Sequence, residues 1–189
     1  MAMPDSNFDW QALQVILQKQ TKAALIDLIQ ELVTASPTVQ QFLQARYLHI
    51  HDMAAQIRPY QERIDAQFEG DEPWDKVQSD FQEIGRIIRE YRLATREEPE
   101  GTTELYVYAL ESAAGFMLSM GIHDMDYHND VAELAWQCVS HFNNFPALYP
   151  PYVNRLREIV ADLNQFDWEE LTTPFYQLEA DMDNSEELL

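Results

Sequence analysis

Eight consecutive residues, His123-Asp124-Met125-Asp126-Tyr127-His128-Asn129-Asp130, hold the densest set of ligating side chains in this sequence. Two imidazoles and three carboxylates (His123, Asp124, Asp126, His128 and Asp130) offer the mixed nitrogen and oxygen donors that divalent cations accept. A divalent-metal site, with or without an enzyme built on it, is therefore one expectation. Ligands drawn from one short loop need a donor from a neighbouring helix to close a tetrahedron, and His141 lies too far along the chain to be assumed. The competing expectation is structural. In it, Asp126, Asn129 or Asp130 caps the following helix and the histidines face solvent.

A second constellation is basic. Arg86, Arg89, Arg92 and Arg96 follow steps of three and four, which align them along one side of a helix. Guanidinium forks so placed could bind an anionic ligand or an acidic helix of a partner. They could equally pair with the chain's own Asp80, Glu83 and Glu90. Arg46 and His51 are separated by four residues. That spacing resembles the Arg-x4–6-His pair of helical ribonucleases of the HEPN type. The resemblance implies proton transfer by the histidine and charge stabilisation by the arginine at a scissile phosphate. Tyr47 stands where that group has a polar residue, and an acidic surface opposes RNA.

Other signatures are absent. The sequence has no GxGxxG, GxxxxGK[ST], GxSxG, HExxH or CxxC. No catalytic residue and no cofactor is expected, apart from the divalent metal already considered.

The composition bounds what holds these residues. The chain has 189 residues with 46% hydrophobic and 12% aromatic content, too rich for wholesale disorder despite a net charge of −21. Five glycines and nine prolines, the latter mostly at helix boundaries, favour helices over strands and turns. The single cysteine, Cys138, can form no internal disulfide. MAMPDSNFDW has neither the basic nor the apolar part of a signal peptide, and no apolar run reaches the ~18 residues of a membrane span. The expectation is a cytoplasmic protein with no membrane and no direct nucleic-acid partner. Its charge favours a partner with a basic surface. From Asp167 onward the chain carries acids and no base. Presented on fixed helices, they would make it an acidic mimic of nucleic acid; left loose, they would serve as a solubilising tail.

Periodicity supplies the elements. Leu25, Leu28, Ile29, Leu32 and Val33, then Val39, Phe42, Leu43 and Tyr47, predict a helical hairpin over Thr21–Tyr47, capped at Thr21 and broken at Ser36-Pro37. Asp9 caps a first helix. Asp52–Phe68 continues helically, with a kink or break near Arg58 caused by Pro59. Trp74, Val77, Phe81, Ile84, Ile88 and Tyr91 keep helical spacing for about five turns. Leu105–Met120, capped by Thr102 or Thr103, is apolar nearly all round and predicts a buried central helix ended by Gly121. Val131–Phe142, Tyr152–Leu163 and Trp168–Met182 complete the set. The fold class is all-α, about nine helices stacked as antiparallel hairpins in a bundle or short α-solenoid. One domain is expected over residues 1–176, with an acidic, frayed tail over 177–189.

The hairpin with its Leu25-Ile26-Asp27-Leu28-Ile29-Gln30-Glu31-Leu32 run, the Tyr60–Phe68 run, the Asp80–Phe81 helix, the Leu105–Gly121 helix and the Tyr152–Trp168 end resemble, in order, an uncharacterised bacterial family of small all-helical proteins. That resemblance covers most of the chain and implies the fold, in a bacterial protein, but no activity. The functional expectation is a non-enzymatic protein-interaction or adaptor module, with Trp10, Trp74, Trp168 and Tyr152 as candidate anchors.

Overall fold

Short polar side chains set the helix starts. Asp9, Thr21, Asp52, Asp80 and Asp124 each accept a hydrogen bond from the backbone amide three residues on, at 2.9–3.1 Å. Each satisfies a first-turn donor that the helix itself cannot. The computed structural model describes residues 8–48, 51–68 and 79–186, with side chains through 182. Among these residues there are nine α-helices and no strand. They are α1 (Trp10–Leu17), α2 (Lys22–Ala35), α3 (Pro37–Leu43), α4 (Met53–Asp65), α5 (Phe81–Thr95), α6 (Pro99–Met120), α7 (Met125–Asn144), α8 (Val153–Leu163) and α9 (Glu169–Glu186). The expected Trp74 and Val77 positions lie outside the described residues.

The chain divides into two compact units, residues 1–41 and 42–189, where a single domain over 1–176 is the sequence expectation. In the first unit, Thr21 caps α2 and Ser36 separates α2 from α3, as the hairpin reading requires. No residue of α1 or α2 is buried, and Trp10, Val15, Ile16, Ile26, Leu28, Ile29 and Leu32 are exposed.

The second unit is an up-and-down bundle built on α6. Tyr60 meets Tyr91 edge-on at 5.2 Å, while Arg63 pairs with Glu90 and Glu83, so α4 and α5 are antiparallel. Tyr127 Oη donates to the Ala113 carbonyl, and His141 Nε2 lies 3.2 Å from the Pro99 carbonyl, so α6 and α7 are antiparallel too. Helix α6 packs against α4, α5, α7 and α8. That is why it is apolar on every side: Leu105, Val107, Leu110, Ala113 and Met117 are fully buried. Arg155 of α8 ties onto α6 through both carboxylate oxygens of Glu111 and one of Glu104, at 2.6–2.7 Å.

Several boundaries differ from expectation. Helix α6 starts at Pro99, not at Thr102 or Thr103. The Glu98 carboxylate accepts from the Glu100 and Gly101 amides, and Pro99 arrives with its φ already helical. The two threonines instead donate back to the Glu98 and Pro99 carbonyls. This start needs a glycine: a Cβ on Gly101 would stand 1.9 Å from Tyr91 Oη. Helix α4 runs through Pro59 without a break. At the far end, α9 continues to Glu186, so most of the expected tail over 177–189 is helical, and Leu178 is buried. Gly121 closes α6 in the left-handed conformation, φ 61°, as expected.

Candidate functional site

Among the described residues, the second unit holds a groove between α5 and α7. Phe81 and Tyr127 rings meet at 5.1 Å near the N-terminal ends of these helices. Near their C-terminal ends, Arg92 of α5 lies beside Tyr106 of α6, whose ring lies 5.6 Å from His141 of α7. The two helices therefore run in the same direction, with α6 antiparallel beneath them. They splay enough for a groove of about 960 Å³ floored by Tyr106. That volume falls within the range of small-molecule and peptide sites.

Three members of the arginine row line it. Arg86 is spoken for: it pairs with Glu83 at 2.5 Å and Glu90 at 2.6 Å. Arg92 pairs with Glu97 at 2.5 Å. Arg96 leaves the row, because it is the C-cap of α5 in the left-handed conformation, φ 61°. Arg89 differs from all of them. It is exposed, points its charge into the groove, and has no ion pair or hydrogen bond among the described residues.

At the other end of the groove stands Asp130. Burial, then the nearby charges of Glu133, Asp126, Asp124 and Asp80, hold its carboxyl above the usual range. It too has no counter-charge among the described residues. About level with Arg89, Trp136 stands 42% exposed on α7, followed by Gln137 and Ser140 along the same wall. At the floor, burial pushes the Tyr106 phenol up, against the lowering effect of Arg92. His141 is held below its ordinary pKa, first by burial, with Nε2 3.0 Å from Thr103 Oγ1.

The histidine–aspartate stretch is not a loop but the start of α7, and its residues diverge. Asp124 is the N-cap, not Asp126, Asn129 or Asp130. His123 is exposed, its ring against Phe166 at 5.6 Å. His128 is buried, with Nε2 3.1 Å from the Ile122 carbonyl and its ring edge-on to Trp168 at 4.8 Å. Asp126 is exposed and Asp130 faces the groove. Among the described residues, no three His, Cys, Asp or Glu side chains are placed to hold a metal ion. Successive residues on a helix point a hundred degrees apart, which separates the donors that a sequence window gathers.

The remaining chemistry-bearing residues have structural partners. The Arg46 guanidinium donates to the Leu93 and Ala94 carbonyls, closing the end of α5, and stacks over Phe42. It is thereby engaged away from His51, which is exposed. Cys138 is fully buried, and burial drives its thiol far above the usual range. Among the described residues no helix is long and apolar enough to cross a membrane. Of the groove, sequence reasoning found Arg86, Arg89, Arg92 and Asp130 but missed Trp136 and Tyr106. The available signal was Trp136, an aromatic off the inward stripe of Val131, Leu134, Ala135, Cys138 and Phe142. No family model matches the chain, and neither does any curated protein or solved structure searched.

Proposed function

We propose that this chain is a protein-interaction module that takes up a segment of a partner protein in the α5–α7 groove, with a partner carboxylate on Arg89. One observation carries the reading. In a chain with 33 acidic and 12 basic residues, Arg89 keeps its charge uncompensated while facing a groove of about 960 Å³. Arg63, Arg86, Arg92, Arg155 and Arg157 all find carboxylates. An arginine beside an exposed tryptophan is the composition of an interface anchor.

Selection from a displayed peptide library on the intact chain tests it. Enriched peptides should share an acidic residue, and Arg89→Glu should weaken their binding about tenfold. Absence of enrichment, or unchanged affinity in the variant, would sink the reading.

The acidic nucleic-acid mimic stays as a second reading, because α9 carries acids such as Glu169, Glu170 and Glu179 on a helix and not on a loose tail. Such a mimic would displace duplex DNA from a basic DNA-binding domain in a salt-dependent way. Failure to do so at low salt would remove it.

A further inference from the structure

The groove has a polarity that goes beyond an anchor for a carboxylate. Two of its lining charges that lack an ion pair among the described residues, Arg89 and Asp130, are opposite in sign and lie at different levels along it. Asp130 lies three residues past Tyr127, whose ring meets Phe81, so it stands level with the first turn of α5. Arg89 lies about six residues further along α5, which at the rise of an α-helix separates the two by about 9 Å. Trp136, nearer the His141 end of α7, stands about level with Arg89.

From this arrangement we infer that the occupant is a bipolar amphipathic helix of the partner, seated antiparallel to α5 and α7, with an acid in its first turn on Arg89 and a lysine or arginine about six residues later on Asp130. This rests on the groove being the docking site, as proposed above. Charge complementarity at both ends selects the pattern. The helix macrodipole selects the direction: acids are favoured in a first turn and bases in a last turn. An occupant antiparallel to α5 and α7 brings its first turn to Arg89 and its last turn to Asp130. The pattern that stabilises the free helix is thus the one the groove accepts. An apolar side chain early in the occupant, beside its leading acid, meets Trp136.

Three labelled fourteen-residue helical peptides test the inference by fluorescence anisotropy. One carries glutamates in the first turn and lysines about six residues later; one keeps only the glutamates; one keeps only the lysines. Each is titrated with the intact chain, with Arg89→Glu and with Asp130→Lys. The bipolar peptide should bind at least about fivefold tighter than either single-ended one, the scale of one shielded charge pair. Arg89→Glu should weaken the bipolar and glutamate-only peptides and not the lysine-only peptide. Asp130→Lys should weaken the bipolar and lysine-only peptides alone. If the glutamate-only peptide binds as tightly as the bipolar one and Asp130→Lys changes nothing, bipolarity is wrong while the Arg89 anchor stands. If no peptide binds, or Arg89→Glu is silent for all three, both readings fall. A nitroxide on the peptide N-terminus should broaden the amide signal of Arg89 more than that of Asp130; the reverse order would overturn the direction.

Discussion

Helices α2 and α6 are similarly rich in apolar residues and meet opposite fates. In α2, Leu25, Ile26, Leu28, Ile29, Leu32 and Val33 crowd one side, and not one is buried. In α6, eleven residues are buried, because α4, α5, α7 and α8 surround it. An apolar stripe makes a helix amphipathic, but stabilisation comes only from the area that neighbours remove from water. The first unit therefore holds its apolar surface in reserve, and the second has spent its own on a core.

Truncation of one leucine in each helix is the strongest way to break that contrast. Leu110→Ala should lower the urea midpoint by an amount corresponding to about 2–5 kcal/mol, the cost of a core cavity. Leu28→Ala should change it by less than about 0.5 kcal/mol, as surface substitutions do. Equal losses would mean that the α2 stripe is covered in solution.

A pair of glycines sharpens the same point within the second unit. Gly101→Ala would drive a Cβ into Tyr91 and should cost about 1–3 kcal/mol. Gly85→Ala meets nothing within 4 Å and sits inside α5, so it should stabilise by about 0.5–1 kcal/mol in the same denaturation series. Loss at both positions would show that α5 has no room on its groove side.

The packed unit also responds to pH. Burial lowers the pKa of His141 in the folded chain below its ordinary 6.5. The stability from its neutral ring is fully present above 6.5 and is lost as pH falls through the lowered value. A urea midpoint that falls between pH 7.5 and 5 should do so less in His141→Gln; identical slopes would exclude this ring as a contributor. The smallest effect belongs to Asp130, whose pKa is raised, so its favourable contribution is present below the unfolded value and lost as pH rises through the folded one. Asp130→Asn should raise the thermal midpoint slightly at pH 7 and leave it unchanged at pH 3. A gain at both would point to packing and not to charge.

Much of this architecture was legible beforehand. The all-helical class, the caps at Asp9 and Thr21, the buried centre at Leu105–Met120 and the glycine stop at 121 all rest on local chemistry: periodicity, a capping oxygen, a residue tolerant of positive φ. Boundaries were less legible where two local signals competed, as at Glu98-Pro99 against Thr102 and Thr103. The groove was hardly legible at all. Arg86, Arg89 and Arg92 look alike in sequence, and only their distances to Glu83, Glu90 and Glu97 distinguish the one left uncompensated.

By itself, then, the sequence determined the helices, their caps and the central place of α6, because those follow from interactions within four residues and from which faces are apolar. Tertiary structure alone decided that no residue of α2 is buried, that His128 turns inward while Asp130 turns to the groove, and that Asp130 and Arg89 line one opening. Each of these depends on which helix lies beside which, and no local spacing records that.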